Sequence, residues 1–346
     1  MHALILVGGR GTRLRPLTVY TPKPVVPVIN RPFLLYQIEI LTKAGITDIT
    51  FSLSYQPDKI EDVLANGADT GVDLHFITEP SPLGTAGAYR YAGDGIAETT
   101  LVLNGDVLTD LDVSALLTFH RAKGSEATIV LTPVADPSAY GLVETGDADK
   151  VKRFLEKPKP EQLKGLSLNT INAGIYVLEP SILQLVPKGE NSSFEYNIFP
   201  SILEKQMPFH AFTWEGYWRD IGTPDSYLEA HHDFLDQKIE ALAASDARSE
   251  SEIATTAFVD RISVIGAGSV IKPGARIERS VLGPGTHVEE KALIKNSVIW
   301  AHTRVAGSAE VHDSIIGRSC YIGRNSTVRA GAVLGDKTTL PDYSRS

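Results

Sequence analysis

Residues 6–18 read LVGGRGTRLRPLT and follow directly on the apolar start MHALI. A strand-like run passes here into three glycines and three arginines. Glycine has no Cβ and tolerates positive φ, so Gly8, Gly9 and Gly11 let backbone N–H groups approach phosphate oxygens closely. The spacing is neither G-x-x-x-x-G-K-[ST] nor G-x-G-x-x-G, so the P-loop and dinucleotide fingerprints are both absent. Arg13, Arg15 and then Lys23, stiffened by prolines on both sides in TPKPVVP, add positive charge next to that bare backbone. Taken together, the stretch predicts a phosphate-binding loop after the first strand of an α/β sheet.

Outward from the loop, the rhythm agrees. Ala3–Val7, Ile49–Leu53, Leu74–Thr78 and Thr100–Leu103 are short, branched and apolar, as buried strands are. Between them, 33–44 (FLLYQIEILTKA) has helical apolar spacing and stops at Gly45, and 57–66 reads as a second helix. The pattern predicts a mostly parallel, Rossmann-like sheet with helices on both faces, ligands lying beyond the carboxyl ends of its strands. A helical stretch, SYLEAHHDFLDQKIEALAA, then leads into the polar run SDARSESE, read as a linker. The adjacent His231 and His232 have no third ligand nearby and read as a solvated helix face.

After Ile253 a hexapeptide repeat takes over. Branched residues recur at Ile265, Ile271, Leu282, Val288, Ile299, Val305, Ile316 and Ile322, each followed four places later by a small residue. Ile265, Leu282, Ile299 and Ile316 are 17 apart, giving coils of six, six and five residues, with Ser280, Ser297 and Ser314 on the short side. This resembles a left-handed parallel β-helix. Cys320 occupies a small-residue slot and is expected to be a buried structural thiol. The boundaries follow: a catalytic domain over 1–230, a helix and linker over 231–252, and a β-helix over 253–346.

Composition excludes several classes. The 346 residues, 42% hydrophobic and 22% charged, describe a globular chain with room for about two domains. A net charge of −9 argues against a nucleic-acid surface, so polyanions must be met by a local cationic cluster. The single cysteine rules out an intramolecular disulfide framework and fits a reducing cytoplasm. No run approaches a membrane span, and no signal peptide is evident.

GGRGTRLRPLT with the PKP around Lys23 resembles the signature of the sugar-1-phosphate nucleotidyltransferases. The resemblance extends in order through EPSPLGTAGA, NGD, YGLVE, FLEKP, INAG and WRDIGTP, and the form most similar to this sequence acts on mannose 1-phosphate and GTP. It implies transfer of a nucleotidyl group from NTP to a sugar 1-phosphate with release of pyrophosphate. Arg13 and Lys23 would stabilise the triphosphate and the transition state, with Lys157 meeting the sugar phosphate. Leu6, Gly8, Gly9, Gly11, Thr12, Arg13, Glu79, Gly84 and Thr85 would bind the nucleotide. Gly141, Glu156, Lys157 and Asn172 would bind the sugar, and Asp106 and Asp220 would hold Mg²⁺, which takes one or two carboxylates and completes its shell with water and phosphate. Glu79 opens EPSPLGTAGA where related thymidylyltransferases commonly carry Gln. Its two acceptor oxygens match guanine N1–H and the N2 amino group, although helix capping is the alternative use of this carboxylate.

Three alternatives stand beside this reading. One is a thymidylyl-, uridylyl- or adenylyltransferase acting on glucose 1-phosphate. Another is a non-catalytic nucleotide-sugar sensor, which should have lost a carboxylate or cation that this chain retains. The third is an acyltransferase built on the β-helix, with His287, His302 and His312 available but no recognisable acceptor site. The repeats are instead expected to pack on the catalytic domain and support a homo-oligomer.

Overall fold

The computed structural model describes residues 1–67, 71–138, 140–156, 169–239 and 248–346. They form two compact units: Met1–Gly9 with Leu34–Trp218, and Arg10–Phe33 with Arg219–Ser346.

In the first unit, the predicted strands are the parallel strands Thr100–Asn104, His2–Val7, Asp48–Leu53 and Asp73–Thr78, adjacent in that order; the last is an edge strand and is not buried as its sequence suggested. Helices Leu34–Lys43 and Pro57–Gly67 fall where the apolar spacing places them. The sheet is mixed. Thr170–Leu178 runs antiparallel to Thr100–Asn104 and also pairs with Ala127–Pro133, extending the sheet to nine strands. Its core joins Leu4, Val102 and Tyr176 to an aromatic cluster in which Phe194 and Phe199 stack at 5.6 Å. Register places Leu6 opposite both Asn104 and Ser52, and Leu53 opposite Thr78. The parallel strands therefore end in one row, with Gly8, Ser54, Glu79 and Gly105 just beyond it.

In the second unit, residues 252–340 form three parallel sheets of six, five and five strands. Ile265, Leu282, Ile299 and Ile316 stack in register at the predicted interval of 17 and are completely buried. The next step, Ile316 to Leu334, takes 18 residues, and so does the first, Ile253 to Ile271. The short side carries a serine ladder. Ser280 N donates to Ser263 Oγ, Ser297 N to Ser280 Oγ and Ser314 N to Ser297 Oγ, at 3.0, 3.1 and 3.2 Å. Cys320 is buried as expected, its Sγ 3.1 Å from Gly335 O, and burial pushes its thiol pKa up.

Helix Pro224–Leu235 starts at Thr223, whose Oγ1 accepts from Ser226 N at 3.2 Å. It stops well short of the predicted end, because Gln237 takes a left-handed φ of 57° and Asp236 is held by Arg279 at 2.7 Å. Residues 240–247, most of the predicted linker, lie outside the described residues. The solvated-face reading of the histidine pair is wrong. His231 is 1% exposed with Nδ1 2.9 Å from Tyr227 O, and half-buried His232 has Nε2 3.2 Å from Asn296 O. An HH pair on a helix flank looks solvated only until its partner surface is known.

Candidate active site

Within the first unit, the turn after the first strand is a tight fit. Gly105 N donates to Leu6 O at 2.8 Å, and a Cβ on Gly105 would stand 2.8 Å from that same oxygen. Gln37, buried in the first helix, braces this NGD turn by donating from Nε2 to Asn104 O and Val107 O, each at 2.8 Å. Asp106 thus sits on a turn fixed from two sides. Gly8 needs its bare Cα, since a Cβ would come within 3.3 Å of both Glu79 Oε1 and Ser54 Oγ, whereas Gly9 opens onto unfilled space.

Glu79 is 7% exposed. Its Oε1 accepts from Ser52 Oγ at 3.1 Å and its Oε2 from Leu83 N at 3.0 Å. The carboxylate bonds the N–H of Leu83, the residue that precedes helix Gly84–Ala92, rather than a first-turn N–H of the helix, so it braces the turn instead of capping the helix, with Oε1 beside Gly8. Packing takes up the Cα face of Gly84 and the hydroxyl of Thr85. Gly84 has φ 74°, and a Cβ there would lie 2.5 Å from Ser192 O. The Thr85 hydroxyl donates to Glu195 Oε2 at 3.1 Å and accepts from Phe194 N at 3.0 Å.

Of the predicted sugar-binding residues, Gly141, Glu156 and Asn172 converge. A Cβ on Gly141 would fall 2.6 Å from Glu156 Oε2, and Asn172 N donates to Gly141 O at 2.8 Å. Asn172 Oδ1 accepts from Gly174 N at 2.9 Å, while its Nδ2 donates to the Tyr176 hydroxyl at 2.9 Å. Burial pushes the Tyr176 pKa well above its ordinary value, with the charge of Glu195 adding to the shift, so the hydroxyl stays neutral. Gly174, at φ 73°, admits the Asn104 side chain, which brings INAG against NGD. Trp218 closes this region, with Nε1 donating to Ala173 O at 2.9 Å and its ring edge-on to Tyr140 at 5.6 Å. Lys157 lies outside the described residues.

The remaining charged residues meet in the second unit. Arg13 Nη2 lies 3.7 Å from Asp220 Oδ2, and Lys23 Nζ lies 3.5 Å from Asp220 Oδ1. Arg13 is mostly exposed and Lys23 mostly buried, at 66% and 11% side-chain exposure, so only the second is held in a fixed setting. Gly11 adopts φ 57°, and a Cβ there would approach Lys23 Cβ to 2.9 Å, so the third glycine serves close packing of the lysine stem. Thr18 Oγ1 donates to Gly11 O at 2.7 Å and ties the loop across. Thr12, in the short turn Thr12–Leu14, is exposed.

Comparison with known proteins decides the family. A model of the nucleotidyl transferase family matches residues 2–237. The chain belongs to the nucleotidyl transferase family. Residues 247–344 match a second model, the EIF2B subunit epsilon LbH domain. The mannose-1-phosphate guanylyltransferase of Mycobacterium tuberculosis (strain ATCC 25618 / H37Rv) is 35% identical over 286 residues, covering 80% of this chain and 78% of that protein. A probable mannose-1-phosphate guanylyltransferase 1 of Oryza sativa subsp. japonica is 39% identical, covering 79% and 75%. Among solved structures, HddC from Yersinia pseudotuberculosis superposes with a TM-score of 0.59 at 32% identity, covering 67% of this chain and 99% of HddC. A second HddC structure, complexed with GMP-PN, superposes at 0.58.

Reading by residue type passed over two polar side chains that lie among the predicted site residues. Asn104 Oδ1 is buried and has no hydrogen-bond donor among the described residues. Its position within NGD was the available signal. Glu195, which links Thr85 to Tyr176, lies in SSFEYN, a segment whose chemistry only tertiary contacts reveal. No cluster of three or more His, Cys, Asp or Glu side chains that could hold a metal occurs among the described residues. Asp106 in the first unit and Asp220 in the second each offer hard carboxylate oxygens, the kind that Mg²⁺ combines with phosphate and water rather than a closed protein cage.

Proposed function

We propose that this protein is a mannose-1-phosphate guanylyltransferase, which transfers GMP from GTP to mannose 1-phosphate and releases pyrophosphate. The observation that carries the reading is the meeting of Arg13 and Lys23 at Asp220, on the same loop that begins with the phosphate-binding glycines. A phosphate oxygen of the sugar substrate attacks the α-phosphorus of the nucleotide, a new P–O bond forms, and the α–β P–O bond breaks with its electron pair leaving on pyrophosphate. Positioning and charge stabilisation supply nearly all the catalysis of such a step. Lys23, held by its packing on Gly11, stabilises the triphosphate charge as it shifts to the leaving group, and Arg13 assists from the more open side. Asp106 and Asp220 would hold Mg²⁺, which neutralises phosphate charge when bound. No covalent enzyme intermediate is required.

Gly8 and Gly9 offer backbone N–H groups to the phosphates. Glu79 favours guanine, because each carboxylate oxygen, after accepting from Ser52 or Leu83, keeps a second lone pair for N1–H or the N2 amino group. The names of the relatives and the guanine-nucleotide analogue bound by HddC support the same base. Glu156 and Asn172, with Lys157, form the sugar-phosphate side, where Asn172 is oriented by Tyr176 and Gly174. We place the enzyme in the cytoplasm and expect a homo-oligomer; no described helix is long and apolar enough to cross a membrane. The test is a panel of four nucleoside triphosphates against mannose 1-phosphate and glucose 1-phosphate, scored by pyrophosphate release. GTP with mannose 1-phosphate should give the highest kcat/KM. Preference for dTTP, UTP or ATP with glucose 1-phosphate would overturn the proposal.

A further inference from the structure

Segment 10–33 carries both cations yet has almost no regular structure of its own. It contains three short turns and a ribbon of two residues on each strand, Pro27–Val28 paired with Arg31–Pro32. Something else must hold it. Three contacts within the unit that contains the β-helix help to do so. Asn30, in a left-handed conformation at φ 61°, donates from Nδ2 to Leu282 O at 2.8 Å. Pro27 O accepts a hydrogen bond from the Tyr227 hydroxyl. Pro16 packs so closely on Gly335 that a Cβ there would lie 3.0 Å from Pro16 Cβ.

The middle anchor has its own control. Tyr227 is completely buried, and Trp300 Nε1 donates to its hydroxyl at 2.9 Å. An indole N–H can only donate, so the tyrosine oxygen is its acceptor and the tyrosine proton is directed to Pro27 O. Trp300 stands where its neighbours are glycine. The residues directly after the stacked Ile265, Leu282, Ile299, Ile316 and Leu334 are Gly266, Gly283, Trp300, Gly317 and Gly335. One coil in this column thus carries a large indole, and that indole is the side chain that fixes Tyr227. The other two anchors, Leu282 O and Gly335, lie along the same column.

We infer that the β-helix is a positioning platform for the cationic loop, with Tyr227 and Trp300 the positioning residues that set Lys23 through Pro27. This rests on the assignment of Lys23 to the triphosphate and goes beyond it, since the repeats read from sequence as packing and oligomer contacts alone. The link is short: Pro27 is four residues after Lys23, and Val25 N and Val26 N donate to Pro22 O and Lys23 O at 3.0 and 3.2 Å in the intervening turn. The test uses the full-length enzyme with Tyr227→Phe, Trp300→Phe and Lys23→Ala, singly and in combination. Asn30→Gly serves as an independent anchor variant that keeps the left-handed backbone. Each Phe variant should lower kcat about fivefold to tenfold, the effect of one misplaced hydrogen bond, and leave the KM for mannose 1-phosphate unchanged. In the Lys23→Ala background the same changes should cost nothing further. Full kcat in the Phe and Gly variants, or losses that persist undiminished without Lys23, would overturn the platform. A Lys23→Ala enzyme with full kcat would instead refute the triphosphate assignment, and the platform's purpose with it.

Discussion

Replacing Gly141 by alanine places a methyl group where Glu156 and Phe154 already stand. The new Cβ would lie 2.6 Å from Glu156 Oε2 and 2.8 Å from Phe154 Cζ, both inside normal contact distance. Phe154 packs on Phe199 at 5.3 Å against the main core, so its ring resists displacement, whereas Glu156 ends in a flexible chain. The carboxylate is therefore the group that moves. With Glu156 assigned to sugar hydroxyls, the substitution removes at least one charge-assisted hydrogen bond, worth about 1.5–3 kcal/mol. That corresponds to a loss of about tenfold to a hundredfold in kcat/KM for mannose 1-phosphate. The KM for GTP should stay within about twofold, because uniform loss of sugar binding does not touch the nucleotide. Steady-state pyrophosphate release with each substrate varied separately reads both quantities. An unchanged sugar-phosphate KM and kcat in folded Gly141→Ala, or a defect confined to GTP, would refute the placement of Glu156 at the sugar.

The remaining predictions concern charge. Asp106→Asn and Asp220→Asn should each lower turnover by orders of magnitude with thermal unfolding little changed, and chelation of divalent metal should abolish activity in the parent; near-normal turnover in either variant would remove that residue from the metal. Glu79→Gln should keep the fold, because a carboxamide can still accept from Leu83 N and bond to Ser52, while raising the use of UTP or dTTP relative to GTP. An unaltered nucleotide ranking would move base selection elsewhere. Burial brings the His231 pKa from 6.5 down to about 4. Its neutral ring therefore contributes stability that is complete above about pH 6.5 and is lost as pH falls toward 4, up to about 3 kcal/mol. Urea unfolding at pH 7 and pH 4.5 should show a smaller acid loss in His231→Leu than in the parent; equal losses would contradict this account.

How far the sequence carried depended on the range of the forces involved. Strands rich in branched and aromatic residues stand out between helical stretches, so His2–Val7, Asp48–Leu53, Asp73–Thr78 and Thr100–Asn104 could be placed to within a residue, although Asp73–Thr78 lies at the sheet edge with no fully buried residue. The interval of 17 was plain because every coil must present an aliphatic side chain to the same axis. Periodicity has no direction, however, and the antiparallel course of Thr170–Leu178 was invisible in it. Nor does it fix side-chain aim: Gly84 and Thr85 matched their motif, yet the structure uses both for packing on 192–195. The grouping of Arg10–Phe33 with Arg219–Ser346 brings together residues 200 and 252 apart in sequence, as in the bonds of Tyr227 to Pro27 and Asn30 to Leu282. Nothing local announces those.

The column of Gly266, Gly283, Trp300, Gly317 and Gly335 also bears on how the gene can change length. Neighbouring coils are one strand spacing apart, about 4.8 Å. A duplicated coil inserted between Leu282 and Gly335 would preserve the aliphatic stack and the serine ladder locally, yet carry the docking points for Asn30, Pro27 and Pro16 out of step by that distance. Duplication before Ile265 would leave them in step. Natural variation in coil number should therefore fall outside the stretch from Leu282 to Gly335, which is kept at constant length.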